Sequence, residues 1–474
     1  MKSRLSILSE SEIEAIHSSS IRILERVGCL VNSPKVVKLL VDAGAMVDSE
    51  RKTVRVPQSL VEDCLLKHPS SFALRAKVKE NDLLIGSDRI YAHPTGGCLN
   101  VLDADTGSVR VGTTADVEVL TRLIDALDNI HECEMLVFAG DAPQRVRDVH
   151  TVATMLRNTT KICGFTPYND RNLEYVIRLA AAVVGGDEEL RKRPIISFGA
   201  SPTSPLELTE DVADQLVRAA NFGLPVGILP CPLSGGTSPV TLAGTLVQQN
   251  VEFLICHVIV QLINPGNPVF YCARPMCMDM RTGLSAEEVE FGLMSAASVQ
   301  LAAHYKMPSD VYGLASDSKV LDEQAAFEKS MIGLLPALAG ADFLSGAGSL
   351  GGDTASSEQL VIDNEILGLI FRAARGIGVN SETLAEDVIE KIGPGGHYLG
   401  AEHTRRYYTS EHYNPELCDR SARADWEKAK SKDIVVRARE KANKILKDHS
   451  IEPLDRDVEK ELQRILNEAN KETT

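Results

Sequence analysis

The sequence lacks a basic surplus, is poor in aromatics and has no repeated cysteine pairing. A net charge of -16 over 474 residues repels a phosphate backbone, and no Lys/Arg cluster in the body of the chain offsets it, which argues against a nucleic-acid partner. Its plain meaning is solubility. The ten cysteines show no repeated C-x-x-C spacing, Cys272 and Cys277 being the closest pair, so they read as reduced, mostly buried thiols rather than a zinc ribbon or thioredoxin motif. No apolar run reads as long enough to span a bilayer, and "MKSRLSILSESEIEAI" lacks the apolar centre of a signal peptide; a cytoplasmic protein is expected. Also missing are a G-x-G-x-x-G after a first strand, a P-loop, an H-E-x-x-H and a G-x-S-x-G elbow. "GAGSLGG" at Gly346–Gly352 approaches a dinucleotide fingerprint, but its last glycine is misplaced. What remains, 44% hydrophobic and 24% charged, is ordinary for a globular enzyme with a sizeable core.

Three regions follow from the patterning. Residues 1–90 predict helical and small β decoration: one helix around Ile13–Val27 capped by Ser9 or Ser11 and stopped at Gly28, a second ending at Gly44, then β elements at "KTVRVP" and "DLLIG". Residues 91–376 carry an architectural repeat: a short β-rich run, a loop, then a helix, starting after Pro194, Pro225, Pro268, Pro308 and Ala341. Spacings of roughly 30–45 residues fit one strand plus a crossover helix. Two more units fall near Leu136 ("EMLVFAG") and Ile162 ("KICGFTP"), with an eighth between Tyr91 and Leu102. The fold class is therefore α/β, a (β/α)8 TIM barrel, with an open doubly wound sheet as the alternative. The barrel is preferred because unusual residues always follow the strand: Ser201–Pro205, Cys231–Pro239, Arg274–Met280, Ser316–Asp322 and Gly346–Thr354. In a barrel those ends share one rim. Residues 377–474 predict a charged helical extension, packed on the barrel or on a neighbouring subunit.

Several residues carry chemistry in more than one reading. His397, His403 and His412, with Cys272 or Cys277, are metal-ligand types, though their spacing matches no helical metal motif; packing or substrate contact is the alternative. Met276, Met278 and Met280 alternate after a strand and are either core filler or a soft apolar surface for a large flat cofactor. Tyr91, Tyr271, Tyr305, Tyr312, Tyr398, Tyr407 and Tyr408 are the tyrosines from which a cation-facing aromatic box would be drawn.

Five strings in order, "GGCLNVLDADTGSVRVGTTADVEVLTRLIDALDNI" (Gly96–Ile130), "LSGGTSPVTLAG", "SDSKVLDEQAAFEKS" (Ser316–Ser330), "EQLVIDNEI" (Glu358–Ile366) and "GGHYLGAEHTRRYY", resemble the trimethylamine methyltransferase superfamily. The resemblance covers nearly the whole chain and implies a (β/α)8 barrel. Founding members carry pyrrolysine, whereas this chain has only the standard twenty residues. It therefore resembles the non-pyrrolysine branch, which includes glycine betaine methyltransferase.

The resemblance implies transfer of a methyl group from a quaternary amine (glycine betaine, proline betaine, carnitine or butyrobetaine) to Co(I) of a corrinoid (cobalamin) carried by a partner protein. No metal bound by this chain is expected, nor is a protein nucleophile, since cobalt attacks. On this reading Tyr91 and His93 face the trimethylammonium head or its carboxylate, and Arg274 clamps the carboxylate. Asp317, Asp322, Gln324 and Glu328 stand where the family motif places pocket residues, a helix N-cap being the other reading. Gly346, Gly348 and His397 complete the substrate set. Gly235, Gly236 and Thr237, with Met276 and Met278, form the corrinoid side. A homo-oligomer is expected. The competing functions are a zinc-dependent corrinoid methyltransferase for methanol or a thiol, and a non-catalytic binder of a quaternary amine or corrinoid.

Overall fold

The computed structural model describes residues 5–48, 50–103 and 106–471. Eight parallel strands form the centre: β1 (Tyr91–Pro94), β2 (Glu132–Glu134), β3 (Ile162–Phe165), β4 (Ile196–Ala200), β5 (Val226–Ile228), β6 (Val269–Ala273), β7 (Ser309–Tyr312) and β8 (Phe343–Ala347). They pair in sequence order from β2 to β8, and β8 pairs with β1. The seam between β1 and β2 is closed by His131 N–H donating to Ala92 O at 2.7 Å and, higher up, by Cys98 N–H donating to Leu136 O at 2.9 Å. The prolines that head strands have no N–H to give, but their carbonyls serve the neighbouring strand: Phe198 donates to Pro225, Val226 to Pro268 and Tyr271 to Pro308.

A helix follows every strand: α1 (Thr114–Ala126), α2 (Arg147–Asn158), α3 (Asp170–Val184), α4 (Glu210–Phe222), α5 (Leu242–Ile263), α6 (Val289–His304), α7 (Glu323–Ala339) and α8 (Ser357–Arg375). Side-chain oxygens of Thr113, Asn169, Thr209, Asp322 and Ser356 cap the starts of α1, α3, α4, α7 and α8, and α3, α4 and α7 stop at left-handed Gly185, Gly223 and Gly340. The alternation yields a (β/α)8 barrel rather than an open sheet.

Two sequence expectations change. The second strand lies at Glu132–Glu134, ahead of the apolar run around Leu136. Leu136 and Val137 instead close the seam against Cys98, and the charged "ECE" hides a strand whose carboxylates look inward. One helix, α5, is long and apolar enough to cross a bilayer by length and composition, with mean hydropathy 1.5, but 78% of that window is buried. It is buried because the helices Glu10–Arg26 and Gln58–Leu65 pack over it.

The decoration closes one end of the barrel and leaves the other open. The hairpin Phe72–Leu74/Leu83–Ile85 packs its Leu74, Leu83 and Ile85 onto Tyr91, Ile162, Phe270 and Phe343, plugging the N-terminal end. At the C-terminal rim stand two small sheets. Leu233–Ser234, Met276–Met278 and Ser285–Ala286 form one, from the loops after β5 and β6. Asn100–Leu102, Val109–Val111, Ser349–Leu350 and Thr354–Ala355 form the other, after β1 and β8. The C-terminal helices Ile434–Asp448 and Arg456–Lys471 lie on the barrel, the first on α8 and α1 and the second on α3 and α2.

Candidate active site

Inside the C-terminal mouth is a cavity of about 370 Å3, near the lower end of the roughly 300–1,000 Å3 usual for small ligands. Glycines hollow it out. A Cβ at Gly164 on β3 would overlap Glu134 Oε2 and stand 2.7 Å from Glu132 Oε1, and one at Gly227 on β5 would stand 2.8 Å from Cys272 Sγ. The walls are aromatic: Phe138, Phe165, Tyr168, Phe198, Phe270, Tyr312 and Phe343.

Asp310 on β7 organises the polar side. Its Oδ2 accepts from Arg274 Nη2 at 2.8 Å and from Cys272 Sγ at 3.2 Å, and Oδ1 stands 3.2 Å from His93 Nε2. Arg274 also donates through Nη1 to Asp310 O at 2.6 Å, and its guanidinium lies 5.2 Å from the centre of the Tyr312 ring. All three ionisable groups are buried: Arg274 is 4% exposed, His93 6% and Asp310 8%. Desolvation disfavours the carboxylate of Asp310, but Arg274 and His93 outweigh it and hold the group well below its ordinary range. Burial likewise opposes the charge on His93, yet Asp310, with Glu132 and Glu134, raises it to about 9, so the ring is an imidazolium at neutral pH. Its Nδ1 donates to Pro94 O at 2.8 Å.

Glu132 and Glu134 face the cavity from β2. Glu132 accepts from Ser197 Oγ at 2.6 Å, and burial raises its carboxyl. Glu134 is half-buried, its exposed part turned to the cavity; desolvation, reinforced by Glu132 and Asp310 against the pull of His93 and Arg274, raises it to about 7.

Of the residues expected at the site, His93 and Arg274 line the cavity. The guanidinium expected to grip a substrate carboxylate spends much of its donor set on Asp310. Tyr91 is not brought there: it begins β1 at the plugged end, its hydroxyl donating to Leu84 O at 3.4 Å and its ring packed on His131 and Phe343. Asp317, Gln324 and Glu328 bind one another's loops instead. Glu328 accepts from Ser316 Oγ, Asp317 N–H and Gln324 Nε2, while Asp317 accepts from Glu287 N–H. Asp322 is the N-cap of α7. Gly346, within β8 at φ +110°, lies where a Cβ would stand 2.9 Å from the Leu314 backbone, and Gly348 N–H, just after β8, donates to Asp363 Oδ2 at 2.7 Å; neither lines the cavity. His397 is exposed beyond α8.

On the rim, Gly235 and Gly236 abut Met278, and Thr237 Oγ1 accepts from Leu233 N–H at 2.9 Å. Met276 packs on the cluster of Phe291, Ala315 and Ile332. None of the five lines the cavity. Among the described residues no group of three or more His, Cys, Asp or Glu could hold a metal ion; His403 is engaged with Glu382 O, away from Cys272 on β6. The box drawn from tyrosines is mostly phenylalanine; of the seven named, Tyr312 alone lines the cavity.

The fold and the cavity define a barrel enzyme with a small-ligand site at the C-terminal mouth. A profile of the trimethylamine methyltransferase (MTTB) family matches residues 2–473. The chain is 39% identical to the trimethylamine methyltransferase MttB of Methanosarcina barkeri, over 98% of this chain and 96% of that protein. It is 36% identical to the protein of the same name from Desulfitobacterium hafniense (strain DSM 10664 / DCB-2), over 98% and 94%. It is 33% identical to the glycine betaine methyltransferase of Desulfitobacterium hafniense (strain Y51), over 99% and 98%. The crystal structure of the Methanosarcina barkeri monomethylamine methyltransferase (MtmB) superposes with a TM-score of 0.50 at 12% identity, covering 94% of this chain and 93% of that one, a likeness of fold. The chain belongs to the trimethylamine methyltransferase family and is a methyl-transfer enzyme.

Proposed function

We propose that the chain moves a methyl group from a quaternary amine, glycine betaine or a related betaine, to Co(I) of a corrinoid on a separate protein. The observation that carries this is the cavity itself: aromatic walls and inward carboxylates in a space suited to a small trimethylammonium compound. The 33% identity to a glycine betaine methyltransferase supports it. So does the sequence, which holds only the standard twenty residues and so lacks the pyrrolysine of the founding branch.

A corrinoid supplies a strong cobalt nucleophile. A quaternary ammonium leaves as a neutral amine, so attack on its methyl carbon needs no prior protonation. The chain's own work is to hold the cation with one N-methyl toward the mouth and to keep water out. Phe138, Phe165 and Phe198 line the cavity with aromatic rings, and the Asp310–Arg274–His93 cluster forms its polar side. A cavity of about 370 Å3 suits the amine rather than a macrocycle, which would approach from the rim over the mouth. There the Gly235–Gly236 turn stands beside Met278 and Met280. Self-association belongs to the same proposal: Phe327 and Met331 on α7 and Ile377, Val379 and Leu399 beyond α8 are exposed, and a monomer in sedimentation velocity would remove it. Methyl transfer is tested by following the Co(I) absorbance of reduced corrinoid with a panel of betaines. Consumption with one of them establishes the donor; consumption only with methanol or a thiol refutes the reading.

A further inference from the structure

Five His, Arg, Asp or Glu side chains face the cavity, and four are engaged within the protein. Asp310 takes hydrogen bonds from Arg274 and His93, and Glu132 takes one from Ser197. Glu134 alone of the five makes no hydrogen bond or ion pair among the described residues. The backbone is cut away around it. Gly164 leaves space that any side chain would take from its Oε2, and a Cβ at Gly96 would stand 3.4 Å from its Oε1. The adjoining Gly97 would place a Cβ 3.3 Å from the Phe138 ring, so one turn after β1 rests against both a carboxylate and an aromatic ring. A half-buried carboxylate with no partner carries its charge at a cost that an arriving cation relieves.

We propose that Glu134 is the counter-ion of the substrate's ammonium group and makes the cavity select a cation over a neutral molecule of the same shape. Arg274 and His93 are already paired with Asp310, which leaves Glu134 as the acidic group positioned to meet an ammonium. The identity of that ammonium as a methyl donor rests on the function proposed above; the electrostatic selection does not.

Because burial lifts Glu134 to about 7, its charge, and with it the affinity for a cation, rises between pH 6 and 8. The charged groups facing it are His93 on β1, Glu132 on its own strand, Arg274 beyond β6 and Asp310 on β7.

The test is calorimetric titration with two isosteric pairs: choline against 3,3-dimethylbutan-1-ol, and glycine betaine against 3,3-dimethylbutanoate. At pH 8 the wild-type protein prefers each ammonium by about 10-fold or more, E134Q loses most of that preference, and E134D keeps it. Wild-type protein alone gives a second reading: affinity for choline rises roughly 10-fold from pH 6 to 8, as one carboxyl titrating near 7 requires, while that for the alcohol stays level. An undiminished preference in E134Q, a level choline profile, or no preference in the wild type overturns the proposal. Glu134-dependent selection without methyl transfer would uphold it and refute the methyl-transfer reading; methyl transfer by E134Q at the wild-type KM would do the reverse.

Discussion

Replacing Asp310 by asparagine removes one charge from the cavity wall and keeps its volume. The variant leaves Arg274, 4% exposed, and His93, 6% exposed, as two cations with no counter-ion at hydrogen-bond range. Breaking a buried pair from one side costs about 3–5 kcal/mol. At roughly 2.1 cal/mol/K of unfolding entropy per residue, a chain of this length has an unfolding entropy near 1 kcal/mol/K, so Tm falls by about 3–5 °C. The loss has a pH signature. Asp310 is depressed from 3.8, so its contribution is present above that value and disappears as pH falls through the lower folded value. His93 is raised from 6.5 to about 9, so its share is complete below 6.5 and fades as pH rises through 9. The gap between wild type and D310N is therefore widest from about pH 4 to 6.5, narrows toward pH 9.5 and vanishes in strong acid. Scanning calorimetry across that range measures it, and histidine NMR checks that His93 drops below 6.5 in the variant. An unchanged Tm with His93 still charged at pH 8 would refute the account of this cluster.

Lys329 and Asp363 form an ion pair at 2.9 Å with both side chains 0% exposed, so K329M costs about 3–5 kcal/mol and K329M/D363L recovers most of it, read by urea unfolding. G164A pushes a methyl into Glu134; binding of choline falls more than about 10-fold with a stability loss of roughly 1–3 kcal/mol, checked by titration and calorimetry. E134Q is more stable than wild type at pH 8 and nearly equal to it at pH 4. A carboxyl raised from 4.5 to about 7 destabilises the fold progressively as pH rises through that window, and parallel thermal scans at the two pH values decide it.

The barrel was legible because strand-heading prolines, loop glycines and capping residues recur at crossover spacing; the charge of β2 was what obscured one unit. Its sequence "ECE" gives no apolar alternation, so the neighbouring Leu136–Phe138 run drew the assignment. The same residues explain the missed half of the site. Glu132 and Glu134 alternate as an inward face of a strand should, a signal available only once the strand is placed. Asp310, in "PSDVYG", stands alone in sequence and acquires meaning through Arg274 and His93, distant along the chain. Conversely, Asp317, Gln324 and Glu328 form a dense polar motif whose bonds run within its own segment and to the Glu287 backbone rather than to the cavity. Tyr91 shares the inward side of β1 with His93, but one strand layer separates plug from cavity, a distance that alternation does not encode.

The most direct test of the account is the loss of Co(I) absorbance when reduced cobalamin or a corrinoid protein is mixed with the enzyme and glycine betaine, proline betaine, carnitine, butyrobetaine, trimethylamine or methanol. A quaternary amine is expected to turn over, whereas trimethylamine and methanol are not. Turnover with methanol alone, or silence across the panel with an intact corrinoid, would contradict it.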